Sequence, residues 1–161
     1  MNALGTAKLR DYRAGDDARI WEILKAALAV YSLVPQPDST DQDLLNIPGS
    51  YVAAGGTFRV LEIQGRPAGT YGLHNEGAGI AELRKMYLDP VYKGRGLGKM
   101  LLEDALAMAR QLGFRTIILE SNSNLVEAAA LYRKFGFVDM HRKHMASRCD
   151  YALRLDLVDT P

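Results

Sequence analysis

The chain has 161 residues, a length that fits one domain and can bury enough apolar surface for a stable core. Its 20 basic and 19 acidic residues give a net charge of +1, which argues against a protein that binds nucleic acid through a basic face. A single cysteine excludes an intrachain disulfide and a zinc site built from several cysteines.

The hydropathy pattern narrows the class further. The sequence shows neither the apolar run of a signal peptide near its N-terminus nor a membrane span of about 18 apolar residues. Its 48% hydrophobic and 24% charged residues are typical of a globular protein. We therefore expect a single domain over 1–161, located in the cytoplasm, with no nucleic-acid or membrane partner.

The first third of the chain predicts a strand, a helix and a surface segment. Residues 8–12 alternate as a short strand does, and the apolar side of 17–30 predicts an amphipathic helix. The segment 32–50 carries prolines before a second, weaker helical pattern over 40–51, which is interrupted at Pro48. The sequence leaves two interpretations of 32–50 open: a mobile surface segment that flanks a site, or a plain connection between helices.

Three strands follow, over 57–63, 68–74 and 80–88, and the turns between them predict an antiparallel meander. Strict alternation along the third strand would place Glu82, Arg84, Met86 and Leu88 on one face, with Leu83, Lys85 and Tyr87 on the other.

The second half of the chain predicts a parallel crossover. The helix over 96–112 has a strongly apolar side and ends at Gly113, and the continuous apolar run 116–119 is typical of a strand covered on both faces. The remaining elements are a helix over 124–135 and strands over 137–138 and 151–157. The predicted fold class is therefore α/β or α+β, with a mixed central sheet of about seven strands, antiparallel in its first half, a βαβ crossover and about four flanking helices.

A glycine-rich turn stands between the meander and the crossover helix. Gly94, Gly96 and Gly98 alternate there, so the backbone can turn sharply and present bare N–H groups at the positive end of a helix. The basic side chains of the turn are Lys93, Arg95 and Lys99. This pattern predicts a site for a phosphorylated ligand, although a turn of this composition can also be a plain connection.

Two common phosphate motifs do not fit the turn. A Walker A loop needs Ser or Thr where the chain has Met100, and it needs its first glycine where the chain has Lys93. The dinucleotide fingerprint needs its third glycine at Lys99 and an opening βαβ unit, whereas this turn lies more than halfway along the chain.

Two motifs together resemble one known family. The run Lys93-Gly94-Arg95-Gly96-Leu97-Gly98 resembles the [Arg/Gln]-x-x-Gly-x-[Gly/Ala] loop with which GNAT N-acetyltransferases bind the pyrophosphate of acyl-CoA. The run from Ala130 to Phe137, ALYRKFGF, is similar to the A-L-Y-x-K-x-G-F signature of the same family. The resemblance is close over 80–138 and implies a GNAT-like fold, with acetyl-CoA as the acyl donor and no metal.

The resemblance also implies roles for individual residues. Backbone amides of Arg95 to Lys99 would hold the pyrophosphate, and the edge of Met86 to Leu88 would pair with pantetheine where the sheet splays. Tyr132 would be the general acid for the leaving thiolate, and Glu82 matches the position of the general base in histone-acetylating members. The implied cofactor contacts are Met86, Tyr87, Leu88, Lys93, Gly94, Arg95, Gly96, Leu97, Gly98, Lys99 and Asn124.

At three positions the sequence does not settle the role that the resemblance implies. The loop begins with Lys93 instead of Arg or Gln, which keeps the charge but loses the fork geometry of arginine. The asparagine that many members place before the tyrosine corresponds to Leu125, one residue after the asparagine of this chain. Glu82 fits a general base and a structural ion pair with Arg84 or Lys85 equally well.

Other reactive side chains favour structural roles. Cys149 with His141 or His144 would be a weak nucleophilic pair, and a buried structural thiol is the better prediction. These histidines and His74 show no metal-ligand spacing, so we expect solvated loop histidines and no metal site. Three tyrosines fit either the lining of an acceptor pocket or ordinary packing: Tyr31, Tyr51 and Tyr71.

The sequence thus predicts an N-acetyltransferase that moves the acetyl group of acetyl-CoA to a primary amine of a small molecule or peptide, by direct attack in a ternary complex. Two other classes stay open: a noncatalytic acyl-CoA-binding module, which would have no use for Tyr132, and a nucleotide-binding switch. The expected walls of the acceptor site are 31–43 and 139–150, whose mixed charge selects no substrate. Sheets of this kind can also pair between two copies, so a homodimer stays open.

Overall fold

Seven strands form one sheet in the computed structural model, which describes residues 5–157. The strands are β1 (Ala7–Asp11), β2 (Thr57–Ile63), β3 (Arg66–Gly77), β4 (Ile80–Leu88), β5 (Thr116–Ser121), β6 (Val138–Met140) and β7 (Tyr151–Asp156). The helical elements are α1 (Asp17–Ala29), α2 (Leu97–Gln111) and α3 (Val126–Lys134), with short 3-10 turns at Gln42–Asn46 and Pro90–Tyr92 and a π turn at Pro48–Val52. The ends of the predicted domain, 1–4 and 158–161, lie outside the described residues.

The sheet confirms the predicted mixed topology. Its order is β1-β2-β3-β4-β5-β7-β6, antiparallel from β1 to β4, parallel between β4 and β5, and antiparallel from β5 through β7 to β6. Parallel neighbours need a crossover, which α2 supplies. The apolar run of β5 is buried on both faces, because Ile117 and Leu119 pack in the core with α2 while Ile118 is buried on the opposite side.

Two hydrophobic cores cover the two faces of the sheet. Leu101 and Leu102 of α2 lie in the larger core, which also takes in β3 to β5 and part of α3. Leu24 and Leu28 of α1 pack with Phe58 of β2 in the smaller core. The helices therefore hold the sheet from both sides, and no helix within residues 5–157 is long and apolar enough to cross a membrane.

Tyr51 and Tyr71 belong to these cores and do not line a pocket. Both rings are fully buried. The Tyr51 hydroxyl donates to Asp43, and the Tyr71 hydroxyl donates to Asp104 at 2.5 Å. A buried phenol needs such an acceptor, so ordinary packing is the correct interpretation for these two tyrosines.

The predicted alternation along β4 is wrong beyond Arg84, because the strand contains a bulge. The register with β3 shifts between the pairs Tyr87–Thr70 and Arg84–Gly72, and Lys85 has a φ of +56°. A bulge inserts one unpaired residue and thereby exchanges the faces that follow it. Met86 and Leu88 consequently join Leu83 in the larger core, whereas Tyr87 packs against the smaller core on the side of α1.

The weak helical pattern over 40–51 folds into two short turns instead of an α-helix. A 3-10 turn covers Gln42–Asn46, and the π turn begins at Pro48, whose missing N–H interrupts the helical hydrogen bonds. Leu44 and Ile47 are buried in the smaller core. The second half of the segment 32–50 is therefore anchored to the fold. Part of the segment also lines a cavity of about 660 Å³.

Candidate functional site

The centre of the site is a split between two parallel strands. β4 and β5 pair only from Ile80–Thr116 to Glu82–Ile118. Beyond that point β4 continues to Leu88 and β5 to Ser121 without pairing with each other, while β5 stays paired with β7 along its whole length. Parallel strands that separate in this way leave the backbone edge of β4 open to a ligand. The predicted splay at residues 86–88 is therefore present in the fold.

The glycine turn forms an open cradle of backbone N–H groups at the start of α2. Gly94 and Gly96 have φ values of +80° and +76°, a region that residues with a Cβ rarely adopt. A Cβ at either position would meet no atom within 4 Å, so the space above the turn is free. Within residues 5–157 the N–H groups of 94–99 donate to no acceptor, and the helix end adds a partial positive charge. This geometry fits a pyrophosphate group.

A cavity of about 200 Å³ runs from the glycine turn along β4, and we call it the glycine-turn cavity. Of the predicted cofactor contacts, it is lined by Met86, Tyr87, Leu88, Lys93, Gly94, Gly96, Leu97 and Gly98. Arg95, Lys99 and Asn124 are exposed and lie outside its lining, where Leu125 and Leu131 of the α3 region replace the asparagine. Most of the predicted set therefore surrounds one space.

Lys93 holds two walls of this cavity together. Its ammonium lies 3.1 Å from the Glu127 carboxylate at the start of α3, 3.3 Å from the Tyr31 hydroxyl, and 5.3 Å from the centre of the Tyr31 ring. Tyr31 lines the glycine-turn cavity, so it is the one of the three tyrosines that reaches a candidate site. These contacts raise the pKa of Lys93, the hydrogen bond to Glu127 being the main cause, and Lys93 stays charged.

A larger cavity, of about 660 Å³, opens on the other side of the split. Both predicted walls of the acceptor site contribute to its lining, with 39–43 on one side and 142–149 on the other. The two cavities share Met86, Tyr87 and Leu125. The two cavities therefore adjoin at these three residues, which we call the junction.

Tyr132 of α3 lines the larger cavity beside the junction. Only 6% of the residue is exposed, and its ring packs on Phe137 with 5.7 Å between centroids. Its hydroxyl makes no side-chain hydrogen bond to residues 5–157. Burial, followed by the neighbouring Tyr87 and Tyr151, raises the pKa of Tyr132 well above that of a free phenol. The phenol therefore keeps its proton at any ordinary assay pH and is available as a donor.

Glu82 lies at the point where β4 and β5 separate, and it is part of an ion-pair network. Its carboxylate accepts from Arg84 Nε at 2.7 Å and from Arg142 Nη1 at 2.5 Å. Burial opposes its ionisation, but Arg84 and Arg142 outweigh burial and lower the pKa of Glu82. Of the two ion pairs that the sequence left open, the one with Arg84 forms, whereas Lys85 pairs with aspartates on the other wall.

Glu120 and Arg142 also reach this point, and the sequence reasoning missed both. Glu120 shares a face of β5 with Ile118, the partner of Glu82, so the two glutamates project to the same side. Arg142 Nη1 lies 2.6 Å from Glu120, and Glu120 also accepts from the Ala146 N–H at 2.9 Å. A charged residue at the carboxyl end of a buried parallel strand was the signal that could have identified Glu120.

A buried charge cluster joins the two walls of the larger cavity, and we define it as Asp41, Asp43, Lys85 and Arg148. Asp41 is fully buried and accepts two hydrogen bonds from Arg148, at 2.6 and 2.8 Å. Lys85 Nζ lies 3.3 Å from Asp41 and 3.1 Å from Asp43. Burial disfavours the charged form of Asp41, but the bonds from Arg148 lead the interactions that lower its pKa.

Cys149 lines the larger cavity and is half-buried, so it is less enclosed than predicted. Burial raises the pKa of its thiol to about 11, which leaves it protonated and a poor nucleophile at neutral pH. Within residues 5–157, no group of three or more histidine, cysteine, aspartate or glutamate side chains is arranged to hold a metal ion.

Comparison with known proteins agrees with this geometry. The model of the acetyltransferase (GNAT) family matches residues 18–137. The N-acetyltransferase YjgM of Escherichia coli K12, itself uncharacterised, is 34% identical over 127 residues, which cover 76% of each chain.

Two solved structures are similar in fold at low sequence identity. A GNAT acetyltransferase of Staphylococcus aureus Mu50 has a TM-score of 0.88 at 20% identity and covers 95% of this chain and 100% of its own. The acetyltransferase YncA of Salmonella typhimurium, solved with acetyl-CoA, has a TM-score of 0.74 at 20% identity and covers 96% and 95%. With its split sheet, its glycine cradle and more than half of its length matched by the family model, the chain belongs to the GNAT family and is an acetyl-CoA-dependent acetyltransferase.

Proposed function

We propose that the protein transfers the acetyl group of acetyl-CoA to a primary amine of a small molecule or peptide, by direct attack while both substrates are bound. The observation that carries this proposal is the junction of the two cavities at Met86, Tyr87 and Leu125, with Tyr132 in the lining of the larger cavity. Direct attack is favoured over an acyl-enzyme because the thiol of Cys149, with a pKa of about 11, is not activated.

The glycine-turn cavity supplies the groups that would hold acetyl-CoA. The free N–H groups of 94–99 would bind the pyrophosphate, with the charge of Lys93 nearby. The open edge of β4 at Met86 to Leu88 would pair with the pantetheine amides. Bound acetyl-CoA would bring its acetyl group as a thioester, which is activated toward amines.

In the net reaction one N–C bond forms and one C–S bond breaks. The acceptor enters as an ammonium ion and loses two protons, of which one ends on the leaving sulfur and one in solvent. An amine with a pKa near 10.4 needs about 4–5 kcal/mol to reach its free base at pH 7, whereas an α-amino group with a pKa near 8 needs only about 1 kcal/mol. The amine and the pH set this cost, and the protein provides the path for the proton.

We assign that path to Glu82, acting directly or through a water molecule. Glu82 is ionised throughout the neutral range because its pKa is lowered, so it can accept a proton only transiently and pass it on. Tyr132 would donate to the leaving sulfur. Because burial raises the pKa of this phenol, it is protonated and can donate a hydrogen bond to the developing thiolate. The proton that the sulfur takes from Tyr132 is replaced on the phenol from solvent.

Release of free CoA in the presence of an amine panel tests the proposal. The kcat/KM should rise with pH as the acceptor amine loses its proton. The midpoint of this rise should equal the pKa of the amine, near 8 for a peptide N-terminus and near 10.4 for a lysine side chain. Glu82→Gln should lower kcat/KM at every pH of this rise without moving its midpoint, because Glu82 is already ionised over that pH range. Binding of acetyl-CoA without CoA release above hydrolysis would instead favour a noncatalytic module.

Gly96→Ala should raise the KM for acetyl-CoA by roughly 10-fold, since a Cβ at a φ of +76° strains the turn by about 1–2 kcal/mol and enters the cradle. Gly113→Ala is the matched control. Gly113 follows the opposite end of α2, has a φ of +86°, and would have no atom within 4 Å of an added methyl group. The control should lose similar stability and keep the wild-type KM, so equal KM values in the two variants would contradict the cradle.

A further inference from the structure

The guanidinium of Arg142 occupies the place where a cationic acceptor would be expected. It bridges Glu82 and Glu120 at 2.5 and 2.6 Å, and only 9% of each glutamate side chain is exposed. All three residues line the larger cavity, together with Tyr132. Arg84 balances part of the charge of these two nearly buried carboxylates, and the remaining place for one positive charge between them is filled by Arg142.

The position of Arg142 allows a bound ammonium ion to displace its guanidinium. It belongs to the connection between β6 and β7, outside any helix or strand, and its own side chain is 26% exposed. The other basic residues of the cavity wall have fixed partners. Lys85 and Arg148 are held within the buried charge cluster, and Arg84 is bonded to Glu82 within the same strand.

An ammonium ion that displaces Arg142 would leave the guanidinium without a full counter-charge. Glu76 lies 3.8 Å from Arg142 Nη2, but its carboxylate also lies 3.5 Å from Arg84 and 3.4 Å from His74, so it compensates Arg142 only in part. An uncompensated charge in a partly buried site is costly. A carboxylate on the acceptor removes that cost, because arginine binds carboxylates through two parallel hydrogen bonds.

We propose that the acceptor is a zwitterion, a free amino acid whose ammonium replaces the Arg142 guanidinium between Glu82 and Glu120 and whose carboxylate pairs with Arg142. This inference rests on the proposed acetyl transfer and names its substrate class. It disfavours peptides and simple amines, which carry the ammonium without a nearby carboxylate.

The test compares matched acceptors: free L-amino acids, their carboxamides and the corresponding decarboxylated amines, with CoA release as the readout. Rates are expressed per free-base amine, so that differences in amine pKa do not enter. For the preferred side chain, kcat/KM should be about 10-fold or more higher for the acid than for the amide.

Arg142→Gln should bring this ratio close to one, because it should raise the KM for the acid more than the KM for the amide, and Arg142→Lys should restore part of the preference. Arg133→Gln is the control, because Arg133 pairs with Asp139 outside both cavities and should leave the ratio unchanged. Equal rates for acids, amides and amines in the wild type would overturn the zwitterion and leave acetyl transfer standing. An acid preference that survives Arg142→Gln would overturn the role of Arg142. If none of the amines raised CoA release above hydrolysis, the proposed function itself would be overturned.

Discussion

Replacing Tyr132 with phenylalanine is expected to lower kcat about 100-fold or more, the usual effect of losing one hydrogen-bond donor to a developing negative charge. The substitution keeps the ring and its packing on Phe137, so the fold should be preserved. The KM for acetyl-CoA should change little, because Tyr132 lines the larger cavity and not the glycine-turn cavity. Steady-state CoA release at saturating acceptor measures the effect.

The pH profile of this variant separates a donor from a titrating acid. Because burial keeps the phenol protonated, the kcat/KM curve of Tyr132→Phe should have the wild-type shape at a lower height. Phe137→Leu serves as a control for packing, since it alters the ring stack without touching the hydroxyl. A Tyr132→Phe enzyme with wild-type kcat would refute the role of the hydroxyl, and one impaired only as much as Phe137→Leu would reduce that role to packing.

Asp41→Asn is expected to destabilise the protein by about 3–5 kcal/mol, because it leaves Arg148 and Lys85 buried beside a neutral partner. For a chain of this size the melting temperature should fall by roughly 6–20 °C. The same change loosens the contact between the two walls of the larger cavity, so the KM for the acceptor should rise while acetyl-CoA affinity is maintained. Thermal unfolding and steady-state kinetics measure the two effects.

The stabilisation by Asp41 has a defined pH dependence. Its folded pKa is lowered, so the contribution is fully present above the unfolded value of about 3.9 and is lost as pH falls through the lower folded value. The difference in melting temperature between wild type and Asp41→Asn should thus stay constant from about pH 8 to pH 5 and narrow below about pH 4. Asp38→Asn, an exposed change in the same segment, should unfold like the wild type. If Asp41→Asn also had the melting temperature of the wild type, the buried charge cluster would contribute nothing to stability.

The sequence was informative where local rules decide the structure. Alternating glycines before an apolar helical stripe predicted the cradle at 94–98, and a continuous apolar run predicted the parallel strand β5 with its crossover. These features depend on backbone conformation and burial, which neighbouring residues determine. The seven strands and their mixed pairing follow from the same periodicities.

The sequence was less informative where contacts between distant residues determine the structure. The bulge at Lys85 depends on the register with β3, and the partner of Lys85 lies on a distant turn at Asp41. The bridge from Glu82 through Arg142 to Glu120 joins three separate segments, so no spacing reveals it. Short turns at 42–52 take the place of the predicted helix because Pro48 interrupts the helical hydrogen bonds, and Leu44 and Ile47 are buried in the smaller core.

The bulge in β4 has a consequence for how the two substrates are aligned. Residues before it, such as Glu82 and Arg84, line the larger cavity, and residues after it, such as Leu88, line the glycine-turn cavity. The strand β4 therefore positions both the donor and the acceptor. The extra residue of the bulge fixes the offset between the segment that lines one cavity and the segment that lines the other. Substitutions within 31–43 or 139–150 that keep Asp41 and Arg148 can change which amine is acetylated without disturbing that offset, whereas deletion of Lys85 would misalign both substrates at once.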